Sequence, residues 1–291
     1  MARRALGIIG GSGVYSIDGL ENVRREKIKT PWGRPSDALV TGRLNGVDAV
    51  FLSRHGQGHR TPPDAVNYRA NIDALKRTGV TDIISLSACG SFREELSPGT
   101  FVIVDQFIDQ TTNREKSFFG PGFVAHVSMA RPVCPALAGA LEASCVALDI
   151  PHVRGGTYVC IDGPQFSSLA ESKLYKSWGC DVIGMTNMPE AKLAREAELP
   201  FASVAMVTDY DCWREEEKAV EVADVLEIMR ANTDAARRLV ADVAARLGPA
   251  RAPSPLDVET ALDAAVITAP EARDPAMCER LSAVAGRILN Q

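Results

Sequence analysis

Aromatic residues make up only 6% of this 291-residue sequence. Such scarcity argues against the stacking platforms that hold single-stranded nucleic acid. A basic excess is missing too. The sequence has 32 Lys and Arg against 37 Asp and Glu, a net charge of −5, whereas nucleic-acid binders carry a basic stripe. No run of about 18 apolar residues occurs, so no membrane span is expected. The apolar run after Arg3-Arg4 is too short for a signal-peptide core and lacks a cleavage site. CxxC pairs are absent, and the seven cysteines (Cys89, Cys134, Cys145, Cys160, Cys180, Cys212 and Cys278) are an odd number. Neither a disulfide framework nor a zinc ribbon is suggested, and a reduced, cytoplasmic protein fits best. Internal repeats and low-complexity tracts are also lacking. What remains, 46% hydrophobic and 24% charged residues, is ordinary globular composition. The length allows one large domain or two of about 150 residues.

Short apolar runs alternate with helical patterns. Ala5–Ile9 reads as a buried strand that stops at Gly10-Gly11-Ser12-Gly13. Two strand-like runs, Ala38–Leu44 and Val47–Ser53, flank Asn45-Gly46, a strong hairpin signal. Further strands are expected at Asp82–Ser87, Thr100–Val104, Thr157–Ile161, Asp181–Gly184 and Ala202–Val207. Helices are expected at Ala65–Lys76, Pro135–Leu148, Ser168–Trp178, Pro189–Glu198 and Glu215–Leu247. This alternation predicts an α/β fold with one large mixed central β-sheet flanked by helices. The Pro-rich stretch 248–255 reads as a linker. Residues 1–247 are therefore expected to form one domain, and 248–291 a linker with a helical C-terminal extension.

In α/β folds, sites gather where strands hand over to loops. Gly10-Gly11-Ser12-Gly13 is either an anion loop, with backbone N–H groups and the Ser12 hydroxyl as donors, or a plain turn. It is not a full dinucleotide fingerprint, because Ser16 stands at the third glycine, and no Walker A sequence follows. The exit after Ser53 reads Arg54-His55-Gly56-Gln57-Gly58-His59-Arg60. Arg54 offers a planar fork to an anion, and His55 can add a donor. His55 and His59 have the spacing of helical metal ligands, but Gly56 and Gly58 between them disfavour a helix, so no metal is expected. His59 and Arg60 read as a solvated loop.

A third exit, Ser85–Ser91, brings small residues close to any ligand, with Ser87 as a hydroxyl; Cys89 reads as structural. A fourth ends at Thr186. The fifth carries Asp209 and Asp211. In extended chain, residues i and i+2 point the same way, so both carboxyls can face one pocket. Neighbouring carboxyls raise one another's pKa, which makes one a candidate proton donor. Equally, Asp211 can be a helix N-cap before Glu215-Glu216-Glu217.

Eight segments in order carry a resemblance: Gly10–Gly13, Arg54–Gly56, Asn67–Asn71, Ala88–Ser91, Asp105–Asp109, Gly163–Ser168, Gly184–Thr186 and Thr208–Trp213. Together the chain resembles the S-methyl-5′-thioadenosine phosphorylases, the trimeric branch of the purine nucleoside phosphorylases, from about residue 5 to about 246. The resemblance implies phosphorolysis of methylthioadenosine to adenine and 5-methylthioribose 1-phosphate. The alternative within the family is a broader nucleoside phosphorylase acting on adenosine or methylthioinosine. The resemblance further implies no metal or organic cofactor, phosphate as co-substrate, and a homotrimer in the cytoplasm.

By position, the resemblance assigns phosphate to Ser12, Arg54, His55, Ser87, Ala88 and Thr186. It places Met185 under the ribose, Phe166 and Ser167 at the base, and Asp209 and Asp211 at the purine edge. The 5′-methylthio pocket falls to Val222, Val225 and Leu226, whose i, i+3, i+4 spacing is also that of ordinary core packing. His126 is expected to reach a neighbouring subunit's site. Ser12 and Ser87 stand where relatives often carry Thr.

Overall fold

The computed structural model describes residues 2–11, 13, 17–214 and 222–290, without the side chains of Ala2 and of 222–226. Its strands are β1 (Ala2–Arg3), β2 (Ala5–Gly10), β3 (Leu20–Glu26), β4 (Leu39–Leu44), β5 (Val47–Ser53), β6 (Asp82–Ser91), β7 (Phe101–Val104), β8 (Gln106–Asp109), β9 (His152–Arg154), β10 (Thr157–Cys160), β11 (Val182–Gly184), β12 (Phe201–Asp209) and β13 (Ala250–Arg251). The helices are α1 (Tyr68–Arg77), α2 (Pro135–Ala147), α3 (Leu169–Ser177), α4 (Asn187–Glu196), α5 (Val222–Leu247), α6 (Pro275–Arg280) and α7 (Gly286–Leu289).

Eleven strands form one mixed sheet along β3-β4-β5-β2-β6-β11-β10-β8, with β12, β7 and β9 branching from β6. The apolar run of β2 is buried because β5 and β6 flank it in parallel. Asn45 and Gly46 both take positive φ, 50° and 82°, as a two-residue hairpin turn requires. One apolar cluster joins the sheet to α1 and α4 through Ile72, Leu75, Ala191 and Leu193. The second joins it to α2 and α5 through Leu137, Leu141, Leu239 and Val243. The fold is thus the expected α/β arrangement, helices on both faces of a mixed sheet.

Where β6 ends, the sheet divides. β6 runs parallel to β12 from Ile83 to Gly90, then turns antiparallel to β11 at Gly90 and Ser91. Gly90 pairs with Asp209 on one side and Ile183 on the other. A Cβ at Gly90 would lie 3.0 Å from Asp209 Oδ1 and 3.1 Å from Ile183 Cγ2, so glycine permits the close approach at this fork. The expected strand stopped at Ser87, because Ala88-Cys89-Gly90-Ser91 looks like a loop. In the fold it continues through them to Ser91.

The Pro-rich stretch after α5 is tied to the body. β13 pairs with β1, and Leu262, Ala265, Leu281, Val284 and Ala285 enter the first apolar cluster. Asp82, buried at the start of β6, accepts from Arg4 Nη1 at 2.9 Å and Arg251 Nε at 3.0 Å. Arg251 also pairs with Glu259.

Replacing Asp82 with Ala leaves Arg4 without its carboxylate in a buried position. Breaking a buried ion pair from one side costs about 3–5 kcal/mol. Urea unfolding of Asp82→Ala is expected to show a loss of that size; an unchanged midpoint would mean that the cluster contributes nothing.

Candidate active site

A cavity of about 290 Å³ opens at the fork. Its lining draws on the ends of β5, β6, β11 and β12, the 163–167 loop and α5. Of the site residues expected from sequence, Arg54, His55, Ser87, Ala88, Phe166, Ser167, Met185, Thr186, Asp209 and Asp211 all line it. Ser12 lies outside the described residues, as do the side chains of Val222, Val225 and Leu226. Gly11, Gly13, Met229, Asn232 and Thr233 do line the cavity. His126 does not; it is exposed, and its backbone N–H donates to the Ala265 carbonyl.

Arg54 is one of the largest fully buried side chains. Its Nε and Nη2 grip both oxygens of Glu190 at 2.8 and 3.0 Å. Nη1 donates to the Leu86 carbonyl at 3.0 Å, and Nη2 also to Ser85 Oγ at 2.7 Å. A guanidinium has five N–H donors. Four are committed, which leaves one Nη1 hydrogen without a partner among the described residues. Burial opposes the arginine's charge, but Glu190 outweighs it and raises the pKa. The sequence suggested a free fork; the structure shows a clamped one.

His55 Nδ1 lies 2.9 Å from the Thr61 carbonyl. A carbonyl only accepts, so Nδ1 carries the hydrogen and neutral His55 presents Nε2 as an acceptor. Burial and then the Arg54 charge push its pKa down to about 4. At neutral pH His55 is therefore uncharged, and Nε2 accepts where the sequence reading expected a donor. His59 stacks on it, ring centroids 4.3 Å apart at 19°. His59 is exposed in its loop, as the sequence suggested, and also lines the cavity. Among the described residues, no cluster of three or more His, Cys, Asp or Glu is placed to hold a metal.

Thr186 is the N-cap of α4, yet its side chain makes no cap hydrogen bond. Thr186 Oγ1 and Ser167 Oγ are buried and have no partner among the described residues. Such groups cost stability unless a ligand or water satisfies them. Ser85, Asn187, Glu190 and Ser203 form a buried polar network beneath this wall. Arg114 supports the Met185–Met188 segment around Thr186. It donates to the carbonyls of Met185, Met188 and Asp162 and to Tyr68 Oη, within 2.6–2.9 Å. The Met185 carbonyl is thereby engaged.

The two aspartates do not share a face through extended chain. β12 carries a bulge between Val207 and Asp209, and Asp211 has φ 51°. Asp211 N–H donates to Asp209 Oδ1 at 2.8 Å. Ser172 Oγ of α3 donates to Asp211 Oδ2. Burial, with a contribution from the Asp209 charge, raises the Asp211 pKa against the pull of Ser172. Cys212 Sγ, 3.3 Å from the Ser167 carbonyl, ties the aspartate turn to the 163–167 loop. Cys89 is buried and its thiol is pushed well up by burial, as a structural cysteine should be.

Glu190 and Arg114 were not legible as site residues. Glu190 pairs with a residue 136 positions away, and an acid in the first turn of a helix ordinarily signals only the helix dipole.

Residues 5–245 match the phosphorylase superfamily. The chain is 58% identical over 289 residues to an S-methyl-5′-thioadenosine phosphorylase of Bradyrhizobium diazoefficiens, covering 99% of both. A crystal structure of a methylthioadenosine phosphorylase from an antarctic soil metagenomic library superposes with a TM-score of 0.92 at 47% identity, covering 98% of this chain and 99% of that one. The methylthioadenosine phosphorylase of Schistosoma mansoni, solved with adenine, superposes at 0.80 with 41% identity, covering 84% and 92%. Extent of match and fold agree: the chain belongs to the phosphorylase superfamily.

Proposed function

We propose that this protein cleaves S-methyl-5′-thioadenosine with phosphate, giving adenine and 5-methylthioribose 1-phosphate, a pentosyl transfer in purine and methionine salvage. The observation that carries this reading is one cavity lined by both Arg54 with Thr186 and Asp209 with Asp211. Phosphate takes the wall of Ser12, Arg54, His55, Ser87, Ala88 and Thr186. The spare Arg54 Nη1 hydrogen and the unpartnered Thr186 hydroxyl supply donors. Neutral His55 accepts from the P–OH of a phosphate that keeps one proton. The net charge of −5 gives no global attraction, so local donors must hold the anion.

Met185 lies under the ribose, and Phe166 and Ser167 border the base. Cleaving the C–N bond builds positive charge on the sugar. An anion held beneath the anomeric carbon stabilises that charge and then captures it. The leaving purine gathers negative charge and takes a proton at N7 from Asp209. Adenine presents an acceptor at N7 and a donor at N6, which a protonated carboxyl matches. A 6-oxopurine offers two acceptors and is rejected. Val222, Val225 and Leu226 stand at i−7, i−4 and i−3 of the cavity-lining Met229, the spacing of one helical face; we assign them to the 5′-methylthio group.

His126, exposed beside Val124 and Ile267, serves a neighbouring copy in a homotrimer. Residues 1–247 hold the catalytic unit, and 248–291 form an extension packed on it. The seven cysteines are free, in keeping with the cytoplasm, and no described helix is long and apolar enough to cross a membrane. The mechanism calls for no metal or organic cofactor.

Adenine release from methylthioadenosine should require phosphate, and methylthioinosine should react far more slowly. Equal release without phosphate would make the enzyme a hydrolase, and a preference for the 6-oxopurine would end the Asp209 argument. Asp209→Asn should lower the rate of adenine formation about 10²–10⁴-fold, the worth of a general acid. Because the acid form is required, wild-type turnover should fall as pH rises. A pH-rate series on both forms should show that fall in wild type alone; the same limb in the variant would assign the proton to another group.

A further inference from the structure

Consecutive residues in a strand point to opposite faces, yet Thr208 and Asp209 both line the cavity. The bulge explains this. Val207 pairs with Cys89 and Asp209 with Gly90, so Thr208 is the extra residue that re-aims its neighbour. Asn232 Nδ2 of α5 donates to the Val207 carbonyl at 3.0 Å and steadies the bulge.

Thr208 is buried. Its Oγ1 lies 2.7 Å from Asp209 Oδ2 and 3.2 Å from the Cys89 carbonyl. A hydroxyl has one hydrogen and two lone pairs, and a carbonyl can only accept. The hydrogen therefore serves one of the two oxygens at a time. If it goes to Cys89, Oγ1 turns a lone pair to Oδ2, which suits a protonated carboxyl. If it goes to Oδ2, it suits a carboxylate.

We propose that Thr208 is a positioning residue for proton transfer, its hydroxyl turning from the Cys89 carbonyl to Asp209 Oδ2 as the carboxyl gives its proton to the purine. This rests on the phosphorolysis reading. Before transfer, Oδ2–H donates to Oγ1 and Oγ1–H donates to Cys89. As the C–N bond breaks, its electron pair stays with the base, the Oδ2 proton swings from Oγ1 to N7, and the Asp209 O–H bond breaks as the N7–H bond forms. Thr208 then donates to the new carboxylate, whose Oδ1 already accepts from Asp211 N–H. One proton moves between Asp209 and the base; the hydroxyl keeps its own. Among the described residues, the titratable groups beside Asp209 include Asp211 in the same turn and the Cys89 thiol on β6. Neither can replace the hydroxyl, because the Asp211 carboxyl is held by Ser172 and the buried thiol stays protonated.

The test is single-turnover adenine formation in Thr208→Val, which keeps the shape, and Thr208→Ser, which keeps the hydroxyl. The valine variant should be slowed about ten- to a hundredfold, the worth of a hydrogen bond to a charged group. Its methylthioadenosine KM should stay within about threefold of wild type. Its high-pH limb should move up by about one unit or more, because the carboxylate loses a donor. Serine should restore both rate and limb. If the valine variant does not fold, Thr208→Ala takes its place. A wild-type rate, a slowed rate with an unmoved limb, or a failure of serine to rescue would each overturn the proposal. Wild type that makes no adenine with phosphate would instead sink the phosphorolysis reading.

Discussion

The buried pair of Arg54 and Glu190 is the constraint on which the rest of the site depends. Taking two charges out of water is costly, and such pairs rarely add stability over apolar packing. Their value here is geometric. Glu190 accepts from Nε and Nη2, and Ser85 and Leu86 in the middle of β6 accept from Nη2 and Nη1. The plane of the guanidinium is thus fixed, and its last hydrogen is directed by what the others do. The pair also joins three elements of the fold, since Arg54 follows β5, Ser85 and Leu86 lie in β6, and Glu190 lies in α4. Donors fixed in this way before a ligand arrives meet the condition for effective electrostatic stabilisation of an anion.

The opposite wall rests on irregularity in the sheet. β6 changes partner at Gly90, and β12 gains a residue at Thr208. These two departures open the cavity between β11 and β12 and bring a hydroxyl and a carboxyl onto one side. Both occur where the strands end, so the core beneath keeps its regular pairing. The apolar clusters reach the cavity itself, where Leu86, Cys89, Ile183 and Met206 form part of its lining.

Much of this was legible in sequence. β2, the β4–β5 hairpin and α1 declare themselves by apolar period and by Asn45-Gly46. β3 does not, because Leu20–Glu26 is largely exposed on an edge and carries no alternation. β8 and β9 do not either, because Gln106–Asp109 and His152–Arg154 mix polar with apolar residues and none of them is fully buried. Arg54, Thr186 and the aspartates were readable because polar residues after a buried strand stand out. Glu190, Arg114 and Asn187 were not, since each acts through partners far along the chain. His55 stood out as a polar residue that lines the cavity, but its tautomer did not, because the Thr61 carbonyl that sets it is a backbone group and leaves no mark in the sequence.

The central claim is that the clamped arginine and the bulged aspartate serve one reaction centre. A crystal structure with phosphate and an uncleavable methylthioadenosine analogue tests it most directly. The account predicts phosphate oxygens within hydrogen-bond reach of Arg54 Nη1 and Thr186 Oγ1, with Glu190 still paired, and the purine N7 facing the Asp209 carboxyl. Phosphate bound away from Arg54, or a base turned so that N7 points from Asp209, would contradict it.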